Sequence, residues 1–398
     1  MTVPFHLHVN PRYEPAAGDI GGAEQVILPE RRAAARAAIT GFEGYRPTPL
    51  HRLDALAATR GIETLWLKDE SGRFGLGSFK ALGGAYAVVH LLRERLGDDV
   101  SIADMAAGRA ASRVSDVTVC CATDGNHGLA VAWGASRAGA RCTVFLPGPV
   151  SEGRERAIAA EGADIVRIAG SYDEAVETCA DEARARGWLL VSDTSHAGGD
   201  EAPSRVMHGY AMLVDEIRDA LASTVPTHLF VQAGVGGLAA AVIGAFRQDL
   251  GSDSPKGVVV EPTSADCLYQ SAVNGRPSPA SGDLDTVMAC LAAAEVSPLA
   301  WQVLARGAFA FMALDDDGAT DAMRFAAAPV GGDPPLVLGE SGAASLGGLI
   351  AVAGDAEARE ALGLTEASRV LVIGSEGATD PDIYRRIVGR DPAAVAAG

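Results

Sequence analysis

The stretch Lys68-Asp69-Glu70-Ser71-Gly72-Arg73-Phe74-Gly75-Leu76-Gly77-Ser78-Phe79-Lys80 sets one lysine directly behind a glycine-rich turn. Ala81-Leu82-Gly83-Gly84-Ala85-Tyr86-Ala87 then begins a helical pattern, so Lys80 stands at a helix start. A lysine kept out of solvent there loses preference for its charged form and becomes an amine nucleophile able to form a Schiff base. A solvated helix-start lysine would look the same, so the rest of the chain has to decide.

Four further turns lie downstream. Ala122-Thr123-Asp124-Gly125-Asn126-His127-Gly128 closes the apolar run Val117–Cys121 and opens a helix over Leu129–Ala138, where ligands collect in open α/β sheets. Asn126 offers an amide to a phenolate or carboxylate oxygen, and the helix start offers N–H groups to an anion, although Asp and Asn equally suit turns and caps. In Gln232-Ala233-Gly234-Val235-Gly236-Gly237-Leu238-Ala239-Ala240 the glycines let backbone N–H groups close around a phosphate. With Glu261 this turn mimics a dinucleotide fingerprint, but the acid comes late and the turn lies in the second half of the chain; phosphate is expected and NAD is not. Leu338–Ala343 and Val372–Gly377 are two more turns, carrying Glu340 and Ser375.

At 398 residues the chain is too long for one small core, and two subdomains are expected. Short apolar runs at Val117–Cys121, Arg141–Leu146, Asp164–Ile168 and Trp188–Ser192 alternate with helical patterns at Gly153–Glu161 and Tyr172–Arg186, as do His228–Gln232, Gly257–Glu261 and Arg369–Ile373 later. Such alternation predicts parallel βαβ units. A smaller α/β domain is predicted over 85–214, inserted in a larger domain formed by 1–84 and 215–398. Asp99–Ser115 reads as a loop. Only 5% of residues are aromatic, so Ala, Val, Leu and Ile must fill the interior.

A net charge of −18 argues against nucleic-acid or anionic-membrane partners, which need a basic surface. No apolar run is long enough to span a bilayer, and Gly236–Phe246 reads as a packed helix. Met1–Arg12 shows no basic leader followed by an apolar run, so no secretory signal is expected. The six cysteines lack C-x-x-C spacing and read as reduced thiols of a cytoplasmic protein; nothing supports a Cys267–Cys290 disulfide. His6 and His8 read as part of an N-terminal strand or arm in preference to a metal site, and Asp315-Asp316-Asp317-Gly318 as a solvated turn.

The lysine, the Gly-Asn-His-Gly turn, the glycine cradle and the late hydroxyl, in this order, resemble pyridoxal-phosphate enzymes of the tryptophan synthase β (fold type II) family. The resemblance runs from about Arg46 to Tyr384. More narrowly, residues 68–80 and 122–128 resemble the diaminopropionate ammonia-lyase family, with support from Val191-Ser192-Asp193-Thr194, Val260-Glu261-Pro262, Ala265-Asp266-Cys267 and Gly339–Ala343. The resemblance implies two open twisted sheets flanked by helices, pyridoxal 5'-phosphate as cofactor and a homodimer. It implies Lys80 as the Schiff-base lysine, Gly234, Val235, Gly236 and Gly237 on the phosphate, Asn126 on the phenolic oxygen, Glu340 at the cofactor, and Ser375 on the pyridine nitrogen.

Substrate choice rests on two carboxylates. Threonine and serine dehydratase relatives usually have a small residue where this chain has Asp124, and Asp193 adds a second acid at a strand end. The family is understood to use two such aspartates as bases for D- and L-substrate, with burial raising their pKa values and a nearby substrate ammonium lowering them. The implied reaction is α,β-elimination of 2,3-diaminopropionate to pyruvate and ammonia. The alternatives are a serine, threonine or hydroxyaspartate dehydratase of the same fold, a β-replacement synthase, or a non-catalytic binding protein. Two departures stand out: Gly77-Ser78 replaces the family's Asn-Ala, and Ser195–Asp200 replaces an aromatic turn. His196 and Asp200 there either reshape substrate recognition or sit on a solvated loop.

Overall fold

The computed structural model describes residues 3–15, 26–97, 99–123, 125–148, 150–193 and 201–397. Eleven strands are present among them: β1 (Phe5–Val9), β2 (Leu50–Arg52), β3 (Thr64–Asp69), β4 (Thr118–Ala122), β5 (Arg141–Pro147), β6 (Asp164–Ile168), β7 (Leu189–Leu190), β8 (His228–Gln232), β9 (Lys256–Pro262), β10 (Ala310–Leu314) and β11 (Arg369–Gly374). A seven-stranded sheet has the order β1-β10-β9-β8-β11-β3-β2, and a four-stranded sheet the order β6-β5-β4-β7. The small sheet is wholly parallel. In the large one only the edge strands β1 and β2 run antiparallel to their neighbours.

Inner strands of a parallel sheet are covered on both faces and therefore read as continuous apolar runs. Every residue of β3, β8 and β10 is buried. Edge strand β6 instead has its residues half-buried or exposed. The large core holds residues such as Leu65, Leu67, Phe230, Val258, Met312, Leu349 and Val372, so aliphatic side chains do most of the filling.

The chain forms two compact units. One comprises Met1–Val26, Thr48–Ser78 and Leu213–Gly398, the other Ile27–Pro47 and Phe79–Met212. Residues 27–47, which sequence order placed with the larger domain, belong to the smaller unit. The helix Pro29–Gly41 buries Ala35, Ala38 and Ile39 on one face, spaced as a helical stripe requires. That face meets the helices Ile102–Ala106 and Glu201–Tyr210. Asp99–Ser115 also departs from the expected loop, since Ser101 caps the helix Ile102–Ala106 by accepting from Asp104 N at 3.0 Å. Asp315 likewise starts a helix, Asp316–Ala327, accepting from Asp317 N at 3.1 Å.

In the smaller unit the helix Lys80–Leu96 packs on Asn126–Ala138 and Glu201–Tyr210. The approach is close: a Cβ on Gly134 would fall 2.6 Å from Ala85 Cα, and one on Gly83 would fall 2.4 Å from the Tyr210 ring. All six cysteines are free thiols, five of them buried. His6 and His8 lie on edge strand β1 with their rings 6.2 and 6.3 Å from that of Tyr269. Among the described residues no helix is long and apolar enough to cross a membrane.

Candidate active site

Lys80 is the first residue of its helix. The turn before it runs through left-handed backbone at Phe74, Gly75 and Gly77, with φ of 51°, 76° and 79°. Two of these positions are glycine because that conformation clashes with a side chain. Lys80 Nζ donates to Asp193 Oδ2 at 2.7 Å. It also lies 5.6 Å from the Phe79 ring centroid, and that ring packs on Tyr210 at 4.6 Å.

His127 completes this group. Its Nε2 is 2.9 Å from the Val191 carbonyl, which can only accept, so Nε2 carries a proton. The other ring nitrogen, Nδ1, lies 3.7 Å from Asp193 Oδ2. Burial pushes the Asp193 carboxyl up, but the attraction of a protonated His127 and of Lys80, with the Lys80 hydrogen bond, outweighs it. The result is well below the usual carboxylate range, opposite to the upward shift expected from burial alone. Burial pushes the Tyr210 phenol up, against the opposing pull of Lys80.

Asn126 opens the helix Asn126–Ala138 and is half-buried. Thr123 Oγ1 holds the turn by accepting from Gly125 N at 3.0 Å and Gly128 N at 3.2 Å. Asp124 lies outside the described residues, as do Thr194, His196 and Asp200. His127, Tyr210 and Thr123 went unassigned in the sequence. A histidine inside the Asn-His-Gly turn was the one available signal.

The larger unit carries the glycine turn between β8 and the helix Gly237–Leu250. Gly236 has φ of 100°, and a Cβ there would fall 3.0 Å from Ala300 Cβ. A first helical turn has no intrahelical acceptors for its N–H groups and carries the positive end of the dipole, so this cradle suits a phosphate.

Gln232 Nε2 donates to Ser375 Oγ at 2.6 Å and faces the carbonyls of Ser341 at 3.2 Å and Gly342 at 3.4 Å. Those two carbonyls fix the amide orientation, since the flipped oxygen would oppose them. Ser375 Oγ accepts from Gln232, so its own proton is left to donate elsewhere, as an unprotonated ring nitrogen would require. The cradle and the hydroxyl fit pyridoxal phosphate at its two ends. Gln232 went unassigned in the sequence; a polar residue ending a buried strand was its signal.

Glu340 is buried in the turn after Leu338, and that turn packs against the one after β11. Gly339 N donates to Glu376 O at 3.0 Å. Glu261, the acid of the false dinucleotide fingerprint, accepts from Leu268 N at 2.8 Å and Tyr269 N at 2.7 Å. That carboxyl group is committed to the start of the helix Cys267–Asn274.

Residues 42–376 match the pyridoxal-phosphate dependent enzyme family. Diaminopropionate ammonia-lyase of Salmonella typhimurium is 39% identical over 356 residues, 86% of this chain and 88% of that protein. The solved holo diaminopropionate ammonia lyase of Escherichia coli superposes with a TM-score of 0.89 at 34% identity, covering 98% of this chain and 97% of that one. The same E. coli enzyme in complex with an aminoacrylate-PLP azomethine reaction intermediate gives 0.87 at 35% identity, covering 97% of each. The chain belongs to the pyridoxal-phosphate dependent enzymes and, within them, to the diaminopropionate ammonia-lyase family.

Proposed function

We propose that this enzyme eliminates ammonia from 2,3-diaminopropionate and, with one water, yields pyruvate and two molecules of ammonia. The bound cofactor supplies a covalent anchor for the substrate's amino group and a sink for the electron pair left at the α-carbon. Lys80 is the residue that holds the cofactor covalently between turnovers. Gly234, Val235, Gly236 and Gly237 hold the phosphate through backbone N–H groups, Asn126 the phenolic oxygen and Ser375 the ring nitrogen, with Glu340 close by. A neutral hydroxyl at that nitrogen does not enforce its protonation.

Asp124 and Asp193 take the α-proton from the two enantiomers. The β-amine is a poor leaving group until protonated, and Lys80, once released from the cofactor, is placed to give it a proton. The observation that carries this reading is the 2.7 Å pair of Lys80 and Asp193, a nucleophile and a base held together. Borohydride reduction is expected to fix the cofactor to Lys80, read by peptide mass. Pyruvate release from D- and L-diaminopropionate by wild type, Asp124→Asn and Asp193→Asn tests the bases: each variant should lose mainly one isomer. Full activity of both variants on both isomers would reject the two-base scheme, and pyruvate from serine alone would reject the substrate. The family resemblance supports a homodimer, which light scattering of the purified protein tests, and the six free thiols fit a reducing, cytoplasmic location.

A further inference from the structure

We propose that Asp193 and His127 work as one proton-accepting dyad, in which Asp193 meets the substrate proton and His127 is the positioning residue that seats it at Nδ1. This rests on the reading of Asp193 as a base. His127 is 5% exposed, and its ring is oriented by the Nε2–H bond to the Val191 carbonyl. Its Nδ1 is buried, makes no hydrogen bond among the described residues, and lies 3.7 Å from Asp193 Oδ2. Leaving a buried acceptor unpaired costs about 1–3 kcal/mol, so Nδ1 gains a partner once Asp193 has taken up a proton.

Among the described residues, the charged and titratable groups facing Asp193 are Lys80, His127, Tyr210 and Cys121. Burial pushes the Tyr210 phenol and the Cys121 thiol up, so both are neutral in the working range. Lys80 satisfies the carboxylate while it is an ammonium. A lysine bonded covalently to the cofactor, or passing its proton to a leaving amine, no longer does so, and among the described residues His127 is then the partner left to Asp193.

The proton account closes on two atoms. The substrate's C–H electron pair stays with carbon while Asp193 takes the proton. The carboxylic O–H bond then breaks toward the Nδ1 lone pair, leaving a carboxylate beside an imidazolium whose Nε2–H is unchanged. The dyad goes from one negative charge to none, and the proton rests on an imidazole nitrogen, a stronger base than a carboxylate oxygen. An isolated aspartate would hold that proton poorly near neutral pH.

The test is His127→Gln, which keeps a donor for Val191 but cannot accept a proton. With the isomer that depends on Asp193, kcat should fall about 10²-fold with KM nearly unchanged. The acid limb of its kcat profile should move at least about one unit to lower pH, because Asp193 would titrate alone. A second measurement needs neither turnover nor cofactor: in the cofactor-free protein, Asp193→Asn should shift the ¹⁵N NMR resonance of His127 Nδ1, read at one fixed pH. An unmoved Nδ1 resonance, or a His127→Gln enzyme that retains kcat and acid limb while Asp193→Asn is impaired, overturns the dyad. Full activity of Asp193→Asn on both isomers overturns the underlying base assignment instead.

Discussion

Replacing Glu216 by Gln should destabilise the larger unit by about 3–5 kcal/mol, the cost of breaking a buried ion pair from one side. Among the described residues four charged side chains meet there almost without solvent: Lys68 and Arg73 are 1% exposed, Glu70 0% and Glu216 2%. Arg73 Nη1 and Nη2 each reach a Glu216 carboxylate oxygen at 2.8 Å, and its Nε reaches Glu70 Oε2 at 2.8 Å. Lys68 Nζ pairs with Glu216 and donates to Thr48 O at 2.8 Å, while Thr48 N donates to Glu216 at 3.2 Å. Two cations balance two anions. The Gln variant leaves one net positive charge in a dry interior, whereas a Lys68→Met/Glu216→Met double variant removes a matched pair and should recover most of the loss. Thermal unfolding should show a fall of roughly 10 °C for Glu216→Gln, taking about 2–4 °C per kcal/mol for a unit of this size.

The same site has a pH signature. Burial pushes the Glu216 carboxyl up, but Arg73 and Lys68 more than offset it, and the folded value lies below the ordinary one. Its stabilisation is therefore present above the ordinary carboxylate pKa and is lost as pH falls through the lower folded value. Glu216→Gln should lack that acid-side loss. A cost under about 1 kcal/mol, or a double variant no better than the single one, would refute the balanced-charge account.

Glu261 should behave in the opposite sense. Burial raises its pKa to about 8 despite two backbone N–H bonds, so stability should decline as pH rises from the ordinary carboxylate range through about 8. Glu261→Gln should flatten that decline in urea unfolding followed across the range. Gly83→Ala should cost about 1–3 kcal/mol in thermal unfolding, because the new methyl would stand 2.8 Å from the Val206 carbonyl as well as against Tyr210. Gly236→Ala meets a φ of 100° and should weaken pyridoxal phosphate binding about tenfold or more, measured by titrating cofactor-free protein. A Gly236→Ala protein that binds the cofactor as tightly as wild type would remove the glycine turn from the phosphate site.

The sequence by itself determined what local chemistry controls. Strands β6 and β8 fall at the predicted residues because short apolar runs bounded by turn formers carry their own signal. The helix Tyr172–Arg186 does too, since Ser171 and Glu174 cap it reciprocally and Gly187 ends it. The lysine turn and the glycine cradle were legible for the same reason: left-handed backbone and close approach demand glycine within a few residues. Which residues then meet was decided by the tertiary structure. Asp193 reaches Lys80 across 113 positions, Gln232 reaches Ser375 across 143, and Glu216 reaches Arg73 across 143. Neither periodicity nor propensity extends over such separations. The pKa of Asp193 turned on this, because burial alone raises a carboxyl and only the folded chain shows Lys80 and His127 beside it to bring it down.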